Sequence, residues 1–134
     1  VTQPVSITLN TTRLDLLRGR LAPRAAAILD KVAFDVERTA KPLTNIDTGA
    51  MRSSVYVSGG SGRGTPYSQA VSEALSLRPE ARVVPEVQPA SQWERIVGVA
   101  VEYSYWQELD HPYLEPAVQQ NRPLATAAWS ELFA

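Results

Sequence analysis

Apolar residues return every three or four positions through residues 21–41. Leu21, Ala25, Ile28, Leu29, Val32, Val36 and Ala40 form the stripe, and Arg24, Asp30, Lys31, Asp35, Arg38 and Lys41 fill the gaps. That period places the apolar side chains on one face of a helix and the charges on the other. Glu37 and Lys41 stand four apart in the stabilising order, and Pro42 disfavours helical backbone at Lys41, so the helix is expected to stop there. A period of two marks strands. Val5, Ile7 and Leu9 share one face of an edge strand at 5–9, residues 55–57 form another, and a further strand spans 93–102. In the last of these, Val97, Val99 and Val101 face one way and Ile96, Gly98 and Ala100 the other, and two apolar faces predict a central strand.

Shorter signals complete the outline. Asn45-Ile46-Asp47-Thr48-Gly49 reads as a turn in which Asp47 or Thr48 caps a short helix through Arg52. Residues 104–109 predict a short helix. A last helix starts near Tyr113, with Leu114, Val118, Ala125, Ala128, Trp129 and Leu132 as its apolar stripe. Pro123 inside it lacks the N–H that the helix needs, so a kink or a second helix is expected. Residues 58–92 hold Gly59, Gly60, Gly62, Gly64, Pro66, Pro79, Pro85 and Pro89, with room for a brief helix at 67–77. Compact domains seldom carry so long a connection without a use for it. We read it as a flexible inserted arm that orders against a neighbouring subunit; an insertion serving nothing is the alternative. The elements predict an α+β fold for a single domain over 1–134: a small, mainly antiparallel sheet packed by the long N-terminal helix and the C-terminal helix, with the long loop between two central strands.

Composition narrows the function. The 134 residues balance 13 Lys plus Arg against 14 Asp plus Glu, which removes the bulk positive charge that draws a protein to nucleic acid or anionic membrane. The signs are unevenly placed: residues 1–52 carry eight basic and five acidic side chains, residues 53–92 three of each, and residues 93–134 two and six. In a head-to-tail oligomer one subunit's basic end would meet its neighbour's acidic end, although two solvated faces explain the same pattern. The chain has no cysteine, so disulfides, thiolate metal sites and thiol catalysis drop out. The first residues lack a basic stretch followed by an apolar one, and the apolar runs are too short to span a bilayer. A soluble protein assembled in cytoplasm is the expectation. Val1 stands where a methionine would begin translation, which leaves a removed initiator and a longer product both open.

Ile46-Asp47-Thr48-Gly49 also matches the signature of aspartic proteases, in which two such aspartates share a proton across a two-fold axis. Ile96-Val97-Gly98 resembles a later element of the retroviral type. The context argues against it: Asp47 follows a helix, Pro42 and a polar pair rather than a buried strand, and Met51 stands where Asp or Ser is usual. His111 is the only histidine and has no ligand partners at metal spacing. The glycine-rich 59–64 stretch lacks the Lys-Ser/Thr ending of a phosphate loop and reads as a linker. Tyr103, Tyr105 and Trp106 could stack on bases, but Glu102, Glu108 and Asp110 would repel phosphates. Those aromatics are expected in the core, with one or two at a subunit interface.

Three runs in order, Asp47-Thr48-Gly49-Ala50-Met51-Arg52-Ser53-Ser54-Val55, then Val99-Ala100-Val101-Glu102-Tyr103-Ser104-Tyr105-Trp106-Gln107-Glu108, then Pro112-Tyr113-Leu114-Glu115-Pro116-Ala117, resemble the phage head-tail joining family, also called tail-completion or neck proteins. The resemblance covers roughly residues 5–133 without the arm. It departs from the family at Asn45, where a proline is usual, and at Leu109-Asp110-His111, where Gly-Thr is expected after the Glu108 position. It implies a non-enzymatic subunit of the virion neck, made in the host cytoplasm and forming a ring of identical copies. Its partners would be itself, the head-closure and tail proteins, and DNA passing through the channel without sequence-specific contact. No cofactor, metal or membrane is implied. The motif residues Asp47, Thr48, Gly49, Arg52, Tyr103, Trp106, Glu108, Pro112, Tyr113, Leu114 and Pro116 then carry structure rather than chemistry. Gly49 eases a turn, Asp47 or Thr48 caps, Arg52 pairs with a carboxylate and Pro116 suits a first helical turn. A dimeric aspartic protease using Asp47 and a minor capsid or packaging-associated protein are the alternatives.

Overall fold

The computed structural model describes residues 12–44 and 49–132. In chain order these form α1 (Thr12–Leu43), α2 (Ala50–Ser53), β1 (Val55–Ser58), α3 (Tyr67–Leu77), β2 (Ile96–Val99), α4 (Ser104–Asp110) and α5 (Leu114–Leu132). The strand expected at 5–9 lies outside the described residues, as do Asp47 and Thr48. The fold is α+β, with the long N-terminal helix and the C-terminal helix packed on a two-stranded antiparallel sheet.

The apolar stripe of α1 is used where it was read. Val36 and Ala40 are buried and Val32 packs beside them, and Ala33, which was not read as part of the stripe, is buried as well. The helix is longer than its stripe at both ends. It begins at Thr12, and Thr12 and residues 15–20 are exposed. It also runs through Pro42 to Leu43, where a stop at Lys41 was expected. The last turn holds because the Lys41 carbonyl accepts from the Thr44 hydroxyl (2.7 Å) and from Arg52 Nε (2.9 Å), side-chain donors replacing the missing helical ones.

β1 and β2 pair with Val55 opposite Val99, Tyr56 opposite Gly98 and Val57 opposite Val97. Gly98 is where the sheet needs a bare α-carbon: a Cβ there would lie 2.7 Å from the ring of Tyr56. The strand expected over 93–102 is shorter, and central only at its end. There Ala100 N–H donates to the Ser54 carbonyl (3.0 Å) on one side, while Val84 N–H donates to the Ala100 carbonyl (2.7 Å) on the other. A bridge between Val83 and Val101 completes that second edge.

Residues 58–92 pack in part on the rest of the chain. The brief helix expected at 67–77 is α3, and its Ala70 and Ala74 are wholly buried. The Tyr67 ring meets Tyr56 edge-on at 5.1 Å, and the Tyr56 hydroxyl accepts from Val87 N–H (3.1 Å). The C-terminal stripe is rotated from the expected one. The covered positions on α5 are Leu114, Ala117, Asn121, Ala125, Ala128 and Leu132, while Val118 and Trp129 are exposed. Small residues on both helices bring α1 and α5 close, a fit that larger side chains would prevent. α5 continues past Pro123. Its missing N–H takes the usual helical donor from the Gln119 carbonyl, which lies at an exposed residue where solvent can reach it.

Candidate functional site

The motif residues are hinge pins between elements. Gly49 takes a left-handed conformation (φ 79°) as the N-cap of α2, a backbone that costs an L side chain roughly 1 kcal/mol or more. Its carbonyl accepts the Ser53 N–H at 3.0 Å. Among the described residues, Arg52 donates to the Lys41 carbonyl and so ties α2 to the end of α1. Asp47 and Thr48, the expected caps, fall outside the described residues.

The second and third motifs meet at one joint. Glu108, near the end of α4, reaches across the turn to the start of α5. Its Oε2 accepts Tyr113 N–H (2.9 Å) and Leu114 N–H (3.0 Å), and its Oε1 accepts Glu115 N–H (3.1 Å). One carboxylate thus satisfies three of the donors that a helix start leaves open, and its charge suits that end of the helix dipole. Pro116 follows as the third residue of α5, within the first turn, where no N–H is required. Tyr113 sits beneath the joint, 1% exposed, and burial, with the neighbouring Glu108 charge adding to it, pushes its hydroxyl up to about 12. Leu114 packs against the core beside it, and Pro112 is exposed. Tyr103 precedes α4, packs on the core and lies 4.7 Å below the Arg78 guanidinium.

Trp106 does something different. It is 65% exposed, edge-on to Tyr105 at 5.2 Å, and Leu109 joins them on the same face of α4. Of the three aromatics expected mostly in the core, Tyr103 packs there, and Tyr105 and Trp106 are the two left exposed. Arg78, Glu80, Arg82 and Glu102 line a pocket beside Trp106, and Asp110 and Glu115 are exposed nearby in the chain. At the start of α1, Leu16 and Leu17 are likewise exposed, in company with Arg18, Arg20 and Arg24.

Other polar groups hold the body together, and of these only Glu37 and Lys41 were read as a pair in the sequence. Asn121 is buried and donates to the Thr39 hydroxyl (2.9 Å) and the Ala117 carbonyl (2.8 Å), linking α5 to α1. Glu37 is buried and accepts Thr65 N–H (3.0 Å) while Lys41 pairs with it at 3.3 Å. Arg95 pairs with Asp30 at 2.6 Å, with both side chains nearly covered. Burial alone would raise the Asp30 carboxyl, but hydrogen bonds from Arg95 and Ser61 and the Arg95 charge hold it below the ordinary carboxylate range. The available signal for Asn121 and Glu37 was a polar residue lying on the apolar side of an otherwise periodic helix.

Among the described residues no group of three or more His, Asp or Glu side chains is placed to hold a metal ion. No helix among them is long and apolar enough to cross a membrane. Comparison of the chain with protein-family models, with curated proteins and with solved structures found no match in any of the three.

Proposed function

We propose that this chain is a structural, non-catalytic subunit of the phage neck, forming a ring that completes the tail end and joins it to the DNA-filled head. The observation that carries the reading is how the motif residues are spent. Gly49, Arg52, Glu108, Tyr113 and Pro116 hold elements together, while the large side chains left uncovered lie on surfaces suited to other proteins. In a protein of this size such surfaces mark contacts, and a subunit whose role is contact needs no reacting group. The near-neutral charge suits a ring that lets DNA pass without gripping it.

The test is in the particle. Phage lacking this protein should accumulate DNA-filled heads and separate, finished tails, seen by electron microscopy of lysates, because each half assembles independently and only the joint is missing. Failure to form heads or to package DNA would replace the neck role with a capsid or packaging one.

A further inference from the structure

α1 and α5 pack antiparallel, so the two uncovered apolar surfaces stand at opposite ends of the pair. At one end, Arg24 and Ile28 of α1 lie beside Leu124, Ala128 and Leu132 of α5, and α1 continues beyond them as a tip bearing Leu16 and Leu17. At the other end, α4, fastened by Glu108 to the start of α5, presents Tyr105, Trp106 and Leu109. The 19 residues of α5 put about 28 Å between the two ends. The surfaces therefore cannot cover each other within one chain.

They are complementary in charge. The tip carries Asp15 but also Arg18 and Arg20. Beside Trp106, Arg78 and Arg82 stand with Glu80 and Glu102, Arg82 pairing with Glu102 at 3.9 Å, and the exposed Asp110 and Glu115 close to α4 in the chain leave this end with an acidic excess. A competing acceptor for the tip is the groove of about 480 Å³ between α1 and α5, which offers Leu124 and Ala128. Arg24 and Lys31 line that groove against a single Glu131, so its sign matches the tip's and opposes docking. Pro23 also removes the N–H that would bond the Gly19 carbonyl one turn earlier, which loosens the helix where the tip leaves the body.

The geometry points to a head-to-tail contact in which the α1 tip of one copy, through Leu16, Leu17, Arg18 and Arg20, docks on the Tyr105–Trp106–Leu109 face of the next. The inference deepens the assembly reading above and rests on it: it supplies the self-contact that a ring requires, and two different surfaces make that contact heterologous and able to propagate.

Because the chain has no cysteine, engineered thiols report the contact cleanly. Leu17→Cys and Leu109→Cys would be made singly and together, and treated at millimolar concentration with a flexible bis-maleimide. The double variant should give a ladder of multimers well beyond dimer. An equimolar mixture of the single variants, one carrying an affinity tag, should give mixed dimers in clear excess over the statistical half. Arg18→Glu with Arg20→Glu should abolish the ladder, and adding Asp110→Lys with Glu115→Lys should restore it. All these positions are exposed, and thermal melts unchanged from wild type would exclude misfolding. No ladder, mixed dimers at or below the statistical share, or a ladder indifferent to charge reversal would each overturn the contact. The neck role itself is read separately, from the heads and tails of the deletion phage, so either idea can fall while the other stands.

Discussion

The two halves of α1 are one helix in two surroundings. From Ala33 to Ala40 one face of it is enclosed: Val36 and Ala40 lie in the core, Glu37 and Asp35 are buried with partners, and Thr44 and Arg52 bond to its end. At Thr12 and over residues 15–20 it stands clear of the body with two leucines in the open. The same contrast recurs between the two sides of the α4–α5 joint, where Tyr113 is sealed and Trp106 is not. A helix held by packing needs an apolar stripe, whereas a helix extended past its packing needs only adequate propensity and a stable body to grow from. Exposed large apolar side chains therefore contribute little to this fold, and the assembly proposed above would give them a use.

The contrast is broken most forcefully with two aromatics from the same joint. Tyr113→Ala should destabilise the protein by about 3–5 kcal/mol, the range for emptying a buried aromatic site. Trp106→Ala should stay within about 0.5 kcal/mol although it deletes a larger side chain. Denaturant unfolding of the two variants beside wild type measures both. A cost above 2 kcal/mol for Trp106→Ala, beyond what an exposed site explains, would mean that the α4 face is covered in the isolated chain.

A second comparison sets one arginine against another. Arg95→Met strands Asp30, whose carboxylate is nearly covered, and should cost about 2 kcal/mol, less than for a wholly buried pair because some exposure remains. Arg20→Met, on the open tip, should cost almost nothing. Acid distinguishes them further. Asp30 has its folded pKa depressed, so its contribution is fully present above the unfolded value of about 3.9 and is lost as pH falls through the folded one. Wild type and Arg20→Met should lose stability together over that acid window, while Arg95→Met, having lost the pair already, should show a shallower fall. Parallel stability curves for all three would remove Asp30–Arg95 from the account of the body.

How much of this was legible in the sequence follows from the same contrast. The enclosed half of α1 and the brief α3 could be read because burial imposes a period on large side chains. The tip could not, since nothing packs there and no period is imposed. α5 was placed correctly but turned by part of a revolution: Ala117 and Asn121 do not look like core, and Val118 and Trp129 do. Periodicity counts apolar bulk, whereas the close approach of α1 and α5 rewards small residues and one bonded amide. β2 came out shorter than its apolar run because its second edge is met only near Val101. At the joints, the motif residues were legible as a set but their partners were not. The Lys41 carbonyl that Arg52 meets was not foreseen, and nothing local tells Glu108 that its donors lie five to seven residues ahead across a turn.

That joint supplies the finest test. Glu108→Gln keeps the shape and one acceptor oxygen, so Tyr113 and Leu114 N–H retain a partner, but it removes the charge and turns an amide N–H₂ toward Glu115 N–H. The expected cost is about 1 kcal/mol, a lost cap together with a lost charge at a helix start. Two neighbours serve as controls with the same change of charge. Glu115→Gln lies exposed in the first turn of α5 and should cost only about 0.3 kcal/mol through the helix dipole. Asp110→Asn, exposed at the end of α4, should cost less still. Salt separates the mechanisms: the Glu115 effect is long-range and should vanish as screening shortens the reach of charge, while most of the Glu108 effect is direct hydrogen bonding and should persist. Unfolding midpoints of the three variants at low and high salt give the answer. Should Glu108→Gln shrink with salt as Glu115→Gln does, its carboxylate would be acting as one more charge near the helix start, and the joint between α4 and α5 would have to be held by Tyr113 alone.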